Sequence, residues 1–214
     1  LGTQNVFEAA RALKCYVVLI SSGSVYGDVS APATEETPLP PSANTYIRTK
    51  RLAEEVARRY SDEFGQETTV LRVFTVYGPH QRAEMAIRTF VRRISSGEAV
   101  TVYGDGSACR DYLHIDDCVD GILRAVDTPA NTFEVVNVAT GTTFSISEVL
   151  AALAGMLGRP ARLEHVATPD GIPHGLMASI EKATALYDYR PRIAFADGLR
   201  DFVAWFRRQR ELNG

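Results

Sequence analysis

Along the first half of the chain, apolar positions alternate between a helical period and short continuous runs. Val6, Ala9, Ala10 and Leu13 recur at helical spacing and predict a helix over residues 2–14. Residues 15–20 (C-Y-V-V-L-I) form a continuous, β-branched apolar run, the pattern of a strand buried on both faces. A Ser/Pro/Thr-rich stretch from Ser21 to about Ala43 reads as loop. Residues 44–64 predict a long helix whose apolar stripe is Leu52, Val56, Tyr60 and Phe64. A second buried run follows at residues 69–74 (T-V-L-R-V-F). Strand, helix and strand at this spacing make a βαβ unit of a parallel sheet, which places the chain in the α/β class.

Beyond Gly78-Pro79 the texture changes. A helix is predicted over 84–95, a short strand over 100–103, a Gly104-Asp105-Gly106 turn and a strand over 112–115. Asp116 and Asp117 stand where an N-cap belongs, ahead of a helix reaching about Val126. Residues 133–138 are a third apolar strand. The remainder reads as α+β: a helix from Ser147, a strand near 162–166, a Pro/Gly loop, and two helices ending in Trp205 and Phe206.

Composition narrows the classes. With 214 residues, 45% hydrophobic and 23% charged, the chain has enough apolar surface for a proper core and is not of disordered composition. No apolar run approaches the roughly 18 residues needed to span a bilayer. The net charge of −3 gives no electrostatic reason to expect nucleic acid or an anionic membrane as partner. Cys15, Cys109 and Cys118 are odd in number and lack zinc or redox spacing, so no metal site is expected. A reducing, cytoplasmic setting fits them better than a disulfide framework. Only Lys14, Lys50 and Lys182 among the 23 basic residues are lysine.

One of those lysines forms the sharpest feature, Tyr46-Ile47-Arg48-Thr49-Lys50. A tyrosine and a lysine four apart on a helix share a face, one turn apart. Free tyrosine titrates near pH 10, and a neighbouring ammonium favours the phenolate. Such a pair can exchange a proton with an alcohol at neutral pH. Spacing alone also fits a surface aromatic beside a solvated charge. Upstream, the first strand runs into Ser21-Ser22-Gly23-Ser24-Val25-Tyr26-Gly27. Ligands of parallel sheets bind beyond the carboxyl ends of strands, so these hydroxyls face a site or merely cap a turn. Arg72 to Pro79 lie at the next strand end, and Arg110 has the chemistry of either a bidentate phosphate clamp or a surface ion pair.

Taken in order, S-S-G-S-V-Y-G, Y-x-x-x-K, L-R-V-F-T-V-Y-G-P, V-Y-G-D-G, R-D-Y-L-H-I-D-D and G-L-R-D-F-V-A-W-F resemble one family over the whole chain. It is the NAD-dependent epimerase/dehydratase family, extended short-chain dehydrogenase/reductases acting on nucleotide sugars. The resemblance implies the C-terminal part of a Rossmann-like parallel-sheet domain plus a smaller α+β substrate lobe. Residues 1–79, joined by 115–139, would belong to the NAD-binding part, and 80–214 to the lobe that holds a nucleotide diphosphate sugar, with a UDP-sugar as the expected partner. It further implies Tyr46 as acid/base, Lys50 as the residue that holds the nicotinamide ribose and tunes Tyr46, and Ser22 as hydrogen-bond partner of the reacting sugar hydroxyl. Phe74 falls on the cofactor side, and Ser24, Thr75 and Arg82 on the substrate side. Arg110 would grip the diphosphate, with Val100 to Tyr103 along the nucleotide base. Residues 2–14 and 44–64 match the helices that pair family members into homodimers.

Departures from the family pattern select a subtype. Family 4,6-dehydratases carry Asp-Glu just after the hydroxyl residue; here those positions are Gly23 and Ser24, which favours epimerisation at C4. Gln81-Arg82-Ala83-Glu84-Met85-Ala86 looks like the R-P-D-M-A segment of uronate and hexose 4-epimerases. Thr75 replaces an asparagine, Ser179 an aspartate, and Pro169-Asp170-Gly171 the order P-G-D. The family's glycine-rich pyrophosphate turn and its acidic ribose reader do not occur among the 214 residues. The expectation is therefore a native protein extending upstream of Leu1, with these residues alone binding no NAD and the first strand left with an open edge. The alternatives are a non-catalytic chain keeping part of the sugar-nucleotide lobe, and a dehydratase or reductase of the same superfamily.

Overall fold

The structure is a computed structural model and describes residues 1–169 and 174–213. Helix α1 (Gly2–Leu13) ends at Lys14, which takes a left-handed conformation and turns the chain into strand β1 (Val17–Ser22). A 3₁₀ turn (Gly23–Tyr26) and a loop lead to helix α2 (Thr45–Phe64). Strand β2 (Thr68–Val73) follows and runs almost directly into the short β3 (Thr75–Tyr77). The first sheet has the order β1-β2-β6, with β6 spanning Phe133–Val138, and both pairings are parallel. All six residues of the central strand are buried. Val70 packs with Phe7, Ala57 and Tyr60 beneath α1 and α2. Leu71 points the other way, into a cluster with Val136, Cys118 and Tyr189. An apolar run without alternation is what such a two-faced strand requires.

Beyond β3 the chain forms α3 (Ala86–Ser96), β4 (Ala99–Tyr103), β5 (Cys109–His114) and α4 (Ile115–Asp127), the last packing Cys118 and Ala125 against the first sheet as it returns the chain to β6. Strand β7 (Thr143–Ser145), helix α5 (Ile146–Leu157), strand β8 (Arg162–Val166), α6 (Glu181–Tyr187) and α7 (Phe195–Asn213) follow, with Ala183 and Tyr187 of α6 packed on the first sheet. β5 joins β3 in parallel and β7 antiparallel, while β4 pairs with β8 in a separate two-stranded sheet. Ile87, Val91 and Ile94 of α3 meet Val149 and Leu153 of α5, with Leu199, Phe202 and Trp205 of α7, in one apolar core. Ser145 caps α5 through a reciprocal capping box with Glu148.

Several expectations need correction. The first strand begins at Val17, because Cys15 is exposed and belongs to the turn. Its faces are half-buried rather than fully buried, while its place at the edge of its sheet among the described residues is as expected. On α2 the buried face is Ile47, Glu54, Ala57 and Tyr60, whereas Leu52 and Phe64 are exposed. A buried carboxylate, paired with Arg72, sits where an apolar side chain would have marked the stripe. The cap of α4 is His114, whose Nδ1 accepts from Asp116 N at 3.3 Å, and not Asp116 or Asp117. Asp117 instead accepts the amides of Arg192 and Ile193, each at 3.0 Å. Asp170 and Gly171 lie outside the described residues. Among those described, no helix is long and apolar enough to cross a membrane, and no cluster of His, Cys, Asp and Glu has the makings of a metal site.

Candidate active site

Parallel strands deliver their carboxyl ends to one rim of the sheet, and there β1 and β2 open onto a cleft of about 510 Å³. Ser21, Ser22 and Ser24 line one side, Tyr46 and Lys50 another, and Phe74, Thr75, Arg82 and Met85 the rest. Each group has a local reason for its position. Ser22 caps the 3₁₀ turn: its Oγ accepts from Ser24 N at 3.2 Å and donates to Ser24 Oγ at 3.1 Å. Asn44 caps α2, with Oδ1 taking the amides of Tyr46 at 2.9 Å and Ile47 at 3.3 Å, so Tyr46 enters on a fixed first turn. Lys50, one turn further, donates from Nζ to the Ile20 carbonyl at 2.9 Å and lies 5.8 Å from the centre of the Tyr46 ring. The ammonium is thereby held at the end of β1, while the Tyr46 side chain, 52% exposed, stands at the cleft mouth.

Gly23 is fixed by packing. A Cβ there would stand 2.7 Å from the Phe74 ring, so any side chain at this position displaces that ring. Phe74 is itself buried and tilted against Tyr26 at 6.2 Å.

A second cleft, of about 380 Å³, opens between α3 and β4. Val100, Thr101, Val102 and Tyr103 line it along one wall, with Arg110 and Arg93 as its cations. Val100 is fully buried and serves as floor, whereas Tyr103 is exposed at the rim. Arg110 Nη1 donates to the carbonyls of Cys109 at 2.7 Å and His174 at 3.3 Å. Burial holds its guanidinium below the ordinary arginine value. A desolvated cation of this kind gains from an anionic ligand. Segment 82–86 joins the two clefts: Arg82 and Met85 face the first, Glu84 and Ala86 the second.

The structure thus gathers Ser22, Ser24, Tyr46, Lys50, Phe74, Thr75 and Arg82 around one cleft, and Val100, Tyr103 and Arg110 around the adjoining one. Sequence reasoning missed Arg93. Its signal was helical spacing, since Ala86, Thr89, Phe90 and Arg93 share one face and all four line the second cleft.

A parallel α/β sheet with a helix-borne Tyr-x-x-x-Lys pair and a serine at the strand ends is the architecture of the short-chain dehydrogenase/reductases. The chain belongs to the NAD dependent epimerase/dehydratase family, whose model matches residues 1–139. It is 34% identical over 94% of its length to an uncharacterized UDP-glucose epimerase of Bacillus subtilis and covers 64% of that protein. It superimposes on the UDP-glucuronic acid 4-epimerase of Bacillus cereus, solved with UDP-glucuronic acid and NAD, with a TM-score of 0.92 at 32% identity, covering 97% of this chain and 66% of that one. A dTDP-glucose 4,6-dehydratase of Streptomyces venezuelae, with NAD bound, gives 0.91 at 31% identity, covering 99% and 66%. The chain therefore spans a little under two thirds of the length of these relatives and shares their fold, with its Rossmann-like parallel sheet, over that part.

Proposed function

We propose that the chain carries the chemistry of a nucleotide-sugar 4-epimerase with NAD as cofactor, acting on a UDP-hexose or UDP-hexuronate. The observation that carries this reading is the first cleft, where Ser22, Tyr46 and Lys50 meet and positions 23 and 24 offer no carboxylate. Elimination of water across C5–C6 needs an acid and a base beside the oxidised carbon. Gly23 has no room for one and Ser24 is a hydroxyl. The likeness to a dehydratase therefore reaches the fold and not this chemistry.

Tyr46, Lys50 and Phe74 fit the nicotinamide riboside: a cleft at the strand ends, an ammonium donor and an aromatic wall. NAD, when bound there, supplies a reversible hydride acceptor. Tyr46 takes the proton of the C4 hydroxyl and later returns it, while Ser22 holds the oxygen by a hydrogen bond. Arg110 keeps the diphosphate through both half-reactions, so the 4-keto sugar turns about that anchor and is reduced on its other face. Residues 1–79 with 115–139 form the cofactor side in this reading and residues 80–214 the sugar-nucleotide lobe. Three free thiols suit a reducing, cytoplasmic setting.

The test is inversion at C4 of UDP-glucose or UDP-glucuronate, followed by NMR with NAD present. In the full-length protein, Tyr46→Phe is expected to lower turnover by about 10²–10⁴-fold with the fold intact. Near-normal turnover in Tyr46→Phe, or a 4-keto-6-deoxy product from the parent protein, overturns the reading.

A further inference from the structure

Arg93 stands in the second cleft with more hydrogen-bonding capacity than the protein uses. A guanidinium has five N–H donors and accepts nothing. Among the described residues the Arg93 side chain makes one hydrogen bond, from Nη1 to the Ala99 carbonyl at 2.6 Å, and its Nε is buried without a partner. No carboxylate pairs with it among those residues. Glu84, which lines the same cleft, is paired with Arg82 at 3.3 Å, and Glu98 is taken by Arg92 at 3.0 Å. The walls around it are largely apolar, with Phe90, Val100, Val102 and Ile146. Leaving donors unmet in such surroundings is costly unless a ligand acceptor meets them.

Position along α3 decides which part of a ligand Arg93 meets. Residue 86 opens the helix next to Met85, which lines the catalytic cleft. Seven residues at about 1.5 Å each carry Arg93 roughly 10 Å further down the axis. A nucleotide sugar with its hexose at Tyr46 and its diphosphate at Arg110 has its base at this far end. We infer that Arg93 reads the nucleobase, donating to a ring carbonyl and selecting keto bases; this rests on the nucleotide-sugar reading above. Uracil and thymine present O4 as an acceptor and guanine presents O6, whereas cytosine presents an N4–H₂ donor at the matching place. A guanidinium held by Ala99 favours the first set and leaves cytosine with two donors facing each other. A site built for an acceptor rejects the ligand that lacks it.

The experiment is calorimetric titration of the 214-residue protein and its variants with UDP, CDP and GDP. The parent protein is expected to bind UDP more tightly than CDP. Arg93→Ala should weaken UDP by about 10–150-fold, the range for a lost charge-assisted hydrogen bond, and leave CDP nearly unchanged. Arg93→Gln keeps a donor and adds an amide acceptor for N4–H₂, so it should raise CDP relative to UDP; it also carries the test if circular dichroism shows Arg93→Ala unfolded. A loss shared by UDP and GDP, with CDP spared, supports keto recognition and extends it to a purine. Equal losses for all three place Arg93 on the phosphates and overturn the inference alone. A parent protein that binds none of the three overturns the nucleotide reading of the cleft, and the inference with it.

Discussion

Helix α2 is tied to β2 by a buried ion pair, and cutting it shows how much of the site's rigidity rests on that tie. Arg72 Nη2 lies 2.8 Å from Glu54 Oε2 and Nε 3.2 Å from Oε1, with the side chains 6% and 10% exposed. The Ser21 hydroxyl donates to the same carboxylate. Glu54→Leu leaves Arg72 buried with the Tyr26 hydroxyl at 3.0 Å and the Glu35 carbonyl at 3.3 Å, neither of them charged. Removing one partner of a buried pair costs about 3–5 kcal/mol. For a chain of this size that is a fall in Tm of roughly 6–20 °C. Replacing both partners, Glu54→Leu with Arg72→Met, removes the stranded charge and should recover most of the loss. Tyr46, Lys50 and Glu54 follow one another at helical i, i+4 spacing, so the single variant should also loosen the catalytic face and lower turnover. Urea titration followed by Trp205 fluorescence and circular dichroism measures the stability. A single-variant cost below about 1 kcal/mol, or a double variant as unstable as the single, refutes the reasoning.

Arg110→Ala should weaken UDP by about 10–150-fold through loss of a charge-assisted contact, read by calorimetry; unchanged affinity would make Arg110 a structural residue only. Gly23→Ala drives a methyl into the Phe74 ring and should cost about 1–3 kcal/mol in urea titration, an overpacking penalty, and disturb the cofactor side of the cleft. A neutral Gly23→Ala variant would show that Phe74 yields and that position 23 tolerates the carboxylate of a dehydratase. The exposed Val6 and Leu13 of α1 and Leu52 of α2 are expected to pair two copies about a two-fold axis, and light scattering that reports a monomer at micromolar concentration would count against this homodimer.

Where structure follows from a local period, it was legible. The central strand β2 reads directly, because burial on both faces leaves no polar alternation to hide it. The stripe of α2 misleads for a physical reason. Periodicity counts apolar residues, and here the packed face holds Glu54, neutralised by an arginine 18 positions away in the chain. The cap of α4 was displaced onto the acidic pair because histidine is not among the usual N-cap residues, yet His114 accepts through Nδ1 as well as a hydroxyl would. Strands β3 and β7 span three residues each, too few to show a period of two.

The site divides along the same line. Tyr46 and Lys50 are neighbours on one helix, so their pairing is written in consecutive residues, and Ser22 is found from the strand end it follows. Arg93 shares a helical face with Ala86, Thr89 and Phe90, but that spacing does not tell that the face lines a cleft; the cleft arises only when α3 packs over β4. That difference bears on how the two clefts divide the work. The wall bearing Val100, Arg93 and Phe90 is backed by the core beneath α3, α5 and α7, so a nucleoside bound there is held against packed helix and strand. The cleft beside Tyr46 is larger, and Ser24, Thr75 and Arg82 reach it from turns and strand ends. A sugar that must present both faces of C4 needs a rigid hold on one end and room at the other. Segment 82–86, with side chains in both clefts, stands where the diphosphate would act as the pivot.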